Sequence, residues 1–442
     1  MNEDNQNIDL LDFHKIGKNE KPYEVIDDKI ANYILEHENI IVISGKPYIY
    51  KGGVFKQDAD GQILKYLIKS MMIQEVITMP RIERVYRLIL ANHKIKVKID
   101  EVNVYPAHWI NFKNGMLDVL TDKMHDHAPS YLSINQIPHN YIEVGDYENS
   151  TLRKFLESRI RDEDDIRMLF EYFGCCMTKD VGFQKFLMLF GLGNTGKSVL
   201  INLITKIVGV DNVCSVSPQQ LGDRFTPASL LHKLLDTCGD IASTAIKDTS
   251  IIKQITGNDD IKGEYKGGAI FFFKNYAKLL FSANELPKIL DEKSNGFYRR
   301  LMVLKFTQTG EYVPCLGRKL EEEIEKVIPH LVKNLKAGYL RGQLFESEGS
   351  KREVKALKND SDTVAAFLED MVEERAHHKI GRIDLYRYYE KYCEDEKRKS
   401  LANKGFYQSM RIKGHADYKS DGVWVFSDID IGFQPSIENE FD

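Results

Sequence analysis

The sequence predicts a mixed α/β protein with several domains and a parallel sheet at its centre. Its 442 residues correspond to about three folding units at roughly 150 residues each. An apolar run at 183–190 leads through a glycine-rich loop into a helical pattern, which is how a parallel α/β unit begins. Residues 363–427 show three helical patterns followed by a β-hairpin, which is typical of a winged helix.

The composition excludes several classes of protein. Hydrophobic residues make up 43% of the chain and charged residues 29%, close to the average of globular proteins. No apolar run approaches the roughly 20 residues that a membrane span needs. The first dozen residues are acidic and polar, so we expect no secretory signal and a cytoplasmic location. The six cysteines include no C-x-x-C pair, which favours reduced thiols over disulfides or zinc ligands.

Changes in pattern along the chain predict six segments. An Asn-Gly pair between apolar runs, at residues 114 and 115, predicts a hairpin in the second of them. The segments are a small α+β module (1–105), a hairpin and helical segment (106–180), an α/β core (181–310), a helical lid with a linker (311–360), a winged-helix DNA-binding domain (361–427) and an acidic tail (428–442).

A glycine-rich motif predicts the first chemistry. The segment GLGNTGKS matches G-x-x-x-x-G-K-[ST] and lies between a predicted strand and a predicted helix, as that motif requires. Its glycines let backbone N–H groups surround a β-phosphate, its lysine neutralises the β and γ oxygens, and its serine hydroxyl ligates Mg²⁺. The sequence therefore predicts that ATP and Mg²⁺ bind here. The predicted nucleotide-binding residues are Gly191, Gly193, Asn194, Thr195, Gly196, Lys197 and Ser198.

Polar residues follow this motif in a definite order. The run LLHKLLDTCGDIA contains Asp236 and Asp240, which we expect on one face of a strand. Asp240, at the carboxyl end of the run, is predicted to hold the metal and activate water, whereas Asp236 is equally a strand-start acid. Asn284 ends the run KLLFSAN and could orient the attacking water, although Asn near a proline is also common in turns.

Two adjacent arginines complete the order. Arg299 and Arg300 directly precede the apolar run LMVLKF. Guanidinium groups at the edge of a buried strand need carboxylate or phosphate partners.

These elements, taken in order, resemble the superfamily 3 helicases of the phage, plasmid and poxvirus primase-helicase type. The similarity covers residues 105–345, and its segments are FGLGNTGKS, LLDTCGDIA, IIKQITGNDDIKGEYK, AKLLFSANELP and GFYRRLMVLKF. Upstream, INFKNGMLDV and INQIPHNY are similar to the helicase-associated domain. The resemblance implies an AAA+-like core that forms a ring, a hexamer, around single-stranded DNA. It further implies 3′ to 5′ movement and ATP sites between subunits.

The resemblance also implies roles for individual residues. Lys197 and Ser198 fall on motif A, Asp240 on the motif B acid and Asn284 on motif C. Arg300 falls on the arginine finger, with its neighbour Arg299 as the substitute. The sequence departs from the family in having Asp where Glu is common in motif B, and in having no Asp-Glu pair there.

The stretch between motifs B and C is similar to the segment that leads into the family's channel hairpin. Lys262, Lys266 and Lys274 are therefore predicted to face the DNA backbone, with Lys266 the first choice. The alternative for each is an ordinary solvated lysine.

Basic residues are concentrated near the end of the chain. Residues 397–419 contain seven Lys or Arg residues and one acid. On the third predicted helix of the terminal domain, the residues at one-turn spacing suit a DNA major groove, and the later lysines suit phosphates. The alternative is a solvated basic face. The predicted contacts are Lys404, Gln408, Arg411, Lys413 and Lys419.

Together these expectations describe an ATP-dependent replicative DNA helicase, and a candidate replication initiator, of a phage or mobile genetic element in a bacterial cytosol. Expected partners are single-stranded DNA, origin duplex DNA, other copies of the chain and a separate primase or other replication proteins, with no membrane. About a hundred residues precede the helicase-associated domain, so we expect no primase activity. The alternatives are a ring ATPase that loads or remodels a protein partner on DNA without unwinding, and a P-loop kinase.

Overall fold

A five-stranded parallel sheet lies at the centre of the chain, so the prediction of a mixed α/β fold is confirmed. The structure is a computed structural model that describes residues 9–241, 245–246, 248–289, 295–309 and 313–432. Within these ranges, no helix has both the length and the hydropathy needed to cross a bilayer.

The amino-terminal module is a small α+β unit. A four-stranded sheet in the order β5-β4-β3-β6 accompanies three helices, whose buried Ile30, Leu64, Ile82, Val85 and Ile89 form one core. The elements are β1 (His14–Ile16), β2 (Pro22–Val25), α1 (Asp27–His37), β3 (Ile40–Ile43), β4 (Lys46–Lys51), β5 (Val54–Gln57), α2 (Gln62–Ser70), α3 (Met79–Ala91) and β6 (Lys96–Val97).

The next segment contains the hairpin that the Asn-Gly pair predicts. Phe112 pairs with Gly115 across the turn, and a Cβ on Gly115 would lie 2.6 Å from the sulfur of Met124. Ser150 caps the first helix of the segment, because its side chain accepts a hydrogen bond from the N–H of Arg153. The elements are β7 (Trp109–Phe112), β8 (Gly115–Asp118), β9 (Lys123–His125), α4 (Thr151–Glu157) and α5 (Glu163–Cys176).

The central sheet has the strand order β11-β12-β15-β10-β16, with every pair parallel. Strand β10 carries the apolar run predicted from the sequence, and its first four residues are buried because both faces of the sheet are covered. An antiparallel hairpin, β13 with β14, is inserted before β15. The elements are β10 (Phe186–Gly191), α6 (Lys197–Val208), β11 (Val213–Cys214), β12 (Leu235–Cys238), α7 (Ser250–Gly257), β13 (Asp260–Glu264), β14 (Ile270–Lys274), β15 (Lys278–Ala283) and β16 (Leu301–Phe306).

Helices follow the sheet and cover one of its edges. They are α8 (Leu316–Glu322), α9 (Ile324–Arg341) and α10 (Glu348–Ser361). The N–H of Val303 on the edge strand β16 donates to the Ser350 hydroxyl of α10 at 2.9 Å, which satisfies a backbone group that an edge leaves open. The segment 311–360, expected to be a helical lid with a linker, ends within α10, and only Asp362 separates that helix from the next.

The terminal domain has three helices and a three-stranded antiparallel sheet in the order β17-β19-β18. The elements are α11 (Thr363–Met371), β17 (Val372–Gly381), α12 (Arg382–Asp395), α13 (Asn403–Ile412), β18 (Asp417–Ser420) and β19 (Val423–Ile431). Strand β17 was not predicted from the sequence, because its charged residues lack apolar alternation. Strand β19 also extends past residue 428, the expected start of the acidic tail; residues 433–442 of that tail lie outside the described residues.

Candidate active site

The glycine-rich loop that joins β10 to α6 needs glycine at two positions. The φ angles of Gly191 and Gly196 are +143° and +98°. A Cβ would lie 2.3 Å from the carbonyl oxygen of Phe306 at the first position and 2.5 Å from the Phe155 ring at the second. No side chain caps α6, so its first N–H groups remain available to an acceptor.

Lys197, the first residue of α6, places its ammonium group inside the loop. Its Nζ donates to the carbonyl oxygens of Gly191 at 2.6 Å and Leu192 at 2.9 Å, and to Oδ1 of Asn284 at 3.3 Å. Burial lowers the pKa of Lys197, and the carboxylate of Asp240 opposes that shift. Among the described residues, no carboxylate forms an ion pair with this cation, which backbone carbonyls and Asn284 hold at the cleft.

Asn284 connects the lysine to the acid. Its Nδ2 donates to Oδ1 of Asp240 at 3.4 Å while its Oδ1 accepts from Lys197. The backbone N–H of Asp240 donates to the Ser282 hydroxyl at 3.3 Å, which links the acid to β15. The structure thus brings together three residues that the sequence analysis selected from separate segments, because β10, β12 and β15 end at the same edge of a parallel sheet.

The expectation that Asp236 and Asp240 share one strand face is wrong. Strand β12 ends at Cys238, and Asp240 lies beyond it with a φ of +54°. Asp236 is fully buried in β12, where its Oδ1 accepts from the N–H of Val216 at 2.8 Å. Burial raises the pKa of Asp236 to about 7. Asp236 is therefore a structural acid of the sheet.

These side chains line a cleft of about 840 Å³, within the usual size range of small-molecule sites. The hydroxyl of Ser198 and the carboxylate of Asp240 are suitable ligands for Mg²⁺, which usually takes one or two carboxylates together with substrate phosphates. Among the described residues, no group of three or more His, Cys, Asp or Glu side chains is placed to hold a metal. The lysine, hydroxyl and carboxylate that line this cleft are the kinds of group that a magnesium nucleoside triphosphate needs.

The sequence analysis missed the residues that close the far side of this cleft. Phe155 and Arg159 come from α4 and the turn after it, and Val313, Cys315 and Leu316 come from the start of the α8 region. Arg159 is buried, with its guanidinium carbon 5.7 Å from the centre of the Phe155 ring. No motif in the sequence marks them, since only the folding of α4 and α8 around the loop brings them here.

Arg299 and Arg300 lie at the opposite edge of the sheet. Leu301 pairs with Phe186 at the start of β10, whereas the glycine-rich loop follows the end of that strand. Six residues at about 3.3 Å each separate the two edges by roughly 20 Å. Arg300 is buried and its Nη1 donates to the Gly296 carbonyl at 2.6 Å, whereas Arg299 is exposed. Neither arginine reaches the cleft of its own chain.

The three lysines of the inserted hairpin that are predicted to bind DNA lie in different environments. Lys266 lies in the exposed turn and Lys262 on the exposed face of β13. Lys274 instead pairs with Asp260 at 3.1 Å and donates to the Asn258 carbonyl at 3.0 Å. Lys274 is therefore held within its own hairpin.

The predicted DNA contacts of the terminal domain also differ. Lys404, Gln408 and Arg411 share the exposed face of α13, and Lys419 is exposed on β18. Two of the five residues are bound to acids of their own chain. Arg411 makes two hydrogen bonds with Asp417, at 2.5 and 2.9 Å, and Lys413 pairs with Asp362.

Three family models match parts of the chain. One is described as a family of unknown function and matches residues 189–300. A model described as D5 N terminal like matches residues 28–166, and one described as poxvirus D5 protein-like matches residues 359–435.

Two relatives show moderate sequence similarity. A protein of Acanthamoeba polyphaga mimivirus named as a putative helicase is 27% identical over 220 residues, which are 47% of this chain and 22% of that protein. An uncharacterized mitochondrial protein of Marchantia polymorpha is 26% identical over 144 residues, 30% of this chain and 78% of that protein. The match thus spans about a fifth of the mimivirus protein.

Solved structures of the NrS-1 C terminal region share the fold. The apo structure of residues 305–718 superposes with a TM-score of 0.55 over 92% of this chain and 100% of that chain, at 11% identity. An A form apo structure gives a TM-score of 0.53 over 91% and 98% of the two chains, also at 11% identity. The architecture is therefore shared along nearly the whole chain.

Proposed function

Because the chain resembles the superfamily 3 helicases of the phage, plasmid and poxvirus primase-helicase type, and these matches bear the resemblance out, we propose that it is a replicative DNA helicase driven by ATP. In this proposal it acts as a ring, a hexamer, and moves 3′ to 5′ on single-stranded DNA of a phage or mobile element. The family resemblance supports the direction and the ring, and the site supports the use of ATP.

The observation that carries the proposal is the position of Asn284 between Lys197 and Asp240 at the mouth of the cleft. In ATP hydrolysis, Lys197 would stabilise charge on the β and γ oxygens. Ser198 and Asp240 would hold Mg²⁺, whose bound form supplies charge neutralisation for the triphosphate. Asn284 would orient the attacking water, and Asp240 would accept its proton.

The arginine pair supports assembly into a ring. An arginine finger lowers the barrier to phosphoryl transfer by contacting the γ-phosphate, yet both arginines lie roughly 20 Å from the loop of their own chain. They can serve a site only on a neighbouring copy, and repeated head-to-tail contacts of this kind close into rings. We assign the finger to Arg299, which is exposed, rather than to the buried Arg300 that the family pattern favours.

The terminal domain supports a second contact with DNA. Its order of helix, strand, two helices and two strands fits a winged helix, in which α13 would be the recognition helix. Lys404, Gln408 and Lys419 would contact origin duplex, which would make the chain an initiator as well as a motor. Removing residues after 360 should then leave DNA-stimulated hydrolysis intact and remove the preference for origin over random duplex at one salt concentration.

A strand-displacement assay tests the proposal. The full chain should unwind a fork with a 3′ single-stranded tail when ATP and Mg²⁺ are present, and should fail on a fork with only a 5′ tail. The Lys197→Ala variant is the control for contaminating helicases. Hydrolysis that DNA stimulates without any strand displacement would instead support the ring ATPase that remodels a protein partner.

A further inference from the structure

The inserted hairpin packs one face against the core, and its other face is exposed except at Glu264, which is buried. The register pairs Lys262 with Phe272 and Glu264 with Ile270, and such directly opposed side chains project on the same side of a sheet. On that side Phe272 is 62% exposed and Ile270 is 52% exposed. On the other side, Ile261 and Phe273 are buried in the core. A large aromatic ring therefore remains in solvent on a short, well-anchored hairpin.

The charges on the hairpin are unequally matched. Lys274 is paired with Asp260, and Glu264 is held by two hydrogen bonds from Arg224, at 2.9 and 2.7 Å. Within the described part of the chain, Lys262 and Lys266 have neither an ion pair nor a side-chain hydrogen bond. The two cations whose charge is available to a ligand are thus Lys262, opposite Phe272, and Lys266, in the turn.

An exposed ring opposite one available cation, with a second available cation in the adjoining turn, fits a ligand that carries both planar groups and repeated negative charges. Single-stranded DNA is such a ligand, because its unpaired bases expose π faces while its phosphates repeat along the backbone. Lysine contacts alone would bind phosphates and leave the bases untouched. The exposed ring supplies the missing contact.

We propose that Phe272 stacks against one base of a single DNA strand, while Lys262 and Lys266 contact the phosphates on either side of that base. This inference rests on the proposed function, in which the hairpin faces the DNA. It adds a base contact to a hairpin whose lysines alone were expected to bind DNA. Stacking depends on the π face that every base has, so the contact is independent of sequence.

Binding of two matched oligonucleotides to the full chain tests this assignment. One strand is oligo(dT), and the other has the same length and phosphates but abasic sugars throughout. Phe272→Leu keeps an apolar side chain and removes the ring, and the position is exposed, so the core is unaffected. We expect it to weaken binding of oligo(dT) by about 5- to 150-fold and to leave binding of the abasic strand unchanged. Phe272→Trp should retain the affinity for oligo(dT).

Two further variants serve as controls. Tyr66→Leu removes an aromatic ring that is 71% exposed on α2, a helix of the amino-terminal module, and should change neither affinity. Lys262→Ala should weaken binding of both oligonucleotides alike. It should also reduce the slope of log affinity against log salt by about 0.7, the value for one phosphate contact on a single strand.

The outcomes separate this assignment from the proposed function. If Phe272→Leu weakened binding of both oligonucleotides equally, or of neither, the stacking role of Phe272 would be overturned. A changed oligomer mass with unchanged strand binding would place Phe272 in a contact between subunits, and would also overturn it. Loss confined to oligo(dT) in a chain that neither hydrolyses ATP nor unwinds DNA would leave the stacking contact standing and would refute the helicase proposal alone.

Discussion

Arg224 and Glu264 form an ion pair with two hydrogen bonds, at 2.9 and 2.7 Å, between the segment that precedes β12 and the last residue of β13. Glu264 is buried, whereas Arg224 is largely exposed. Hydrogen bonding and charge from Arg224 lower the pKa of Glu264. The pair links the hairpin to the chain segment that leads, through β12, to Asp240.

This link predicts that the pair transmits DNA binding to the nucleotide site. Glu264→Gln removes the charge and keeps the shape, so intrinsic ATP hydrolysis should remain while its stimulation by DNA falls about five-fold. Steady-state hydrolysis with and without oligo(dT) measures both. The exposed pair Lys355 and Glu369 offers a matched control in Glu369→Gln. Equal loss of intrinsic and stimulated rates would mean that the pair only stabilises the fold.

Lys197→Ala should reduce ATP turnover at least about 100-fold, because the charge facing the β and γ oxygens is lost. The fold should persist, since the ammonium group bonds its own loop and Asn284 rather than the core. Hydrolysis and circular dichroism of the same preparation check both statements. Lys206→Ala, at an exposed lysine ion pair on the same helix, is the control. A folded Lys197→Ala protein with normal turnover would remove the loop from the mechanism.

Arg299→Ala and Lys197→Ala subunits should complement each other when mixed. Each variant alone should be inactive. In other phosphoryl-transfer enzymes an arginine finger raises the hydrolysis rate about 10³- to 10⁵-fold, and we expect a loss of this size in Arg299→Ala. In a mixed ring, some interfaces pair an intact loop with an intact arginine, so hydrolysis should partly return. Native mass spectrometry confirms the mixing. Mixed rings without any recovered hydrolysis would argue against a site shared between subunits, and the same experiment with Arg300→Ala tests the choice between the two arginines.

Asp236 predicts a pH dependence of stability. Because burial raises its pKa to about 7 in the folded chain, the folded state holds a proton that the unfolded state releases near pH 4. Protonated Asp236 therefore contributes to the free energy of unfolding in full below the pKa of the unfolded state. This contribution, on the order of 4 kcal/mol at most, is lost as the pH rises towards 7. At pH 8, the Asp236→Asn variant should therefore unfold at a higher urea concentration than the parent. The difference between its urea midpoints at pH 5 and pH 8 should also be smaller than in the parent. The exposed Asp211→Asn variant should behave like the parent.

Arg411→Ala should loosen the terminal domain, because it removes a partner of Asp417. The side chain of Asp417 is almost fully buried, and Arg382, at 3.2 Å, is its remaining ion-pair partner among the described residues when Arg411 is removed. Losing one partner of such an acid costs about 1 to 3 kcal/mol. Hydrogen exchange in the full chain should therefore quicken across α13 and β18. Lys404→Ala, on the same exposed helix face, should lower affinity for duplex without changing exchange, and unchanged exchange in Arg411→Ala would show that its pair with Asp417 is dispensable.

Local patterns were enough for the elements that carry the chemistry. The apolar run of β10, the glycine-rich loop and the start of α6 follow from residues adjacent in the chain, as does the hairpin at Asn114 and Gly115. The candidate residues Lys197, Asp240 and Asn284 could be selected because each follows an apolar run that reads as a strand of a parallel sheet. Their order along the chain also carried the family resemblance.

Pairing between distant residues was decided only in the tertiary structure. The sequence shows that Arg411, Lys413 and Lys274 are basic, but not that acids of the same chain already hold them. It places Arg299 beside Arg300, but it does not show that Arg299 is exposed to solvent and that Arg300 is buried. Local backbone preferences act between neighbours in the chain, whereas ion pairing, burial and the closing of the cleft by Phe155 depend on where separate elements pack. The sequence therefore determined which chemical groups the protein has, and the tertiary structure decided which of them are free to act.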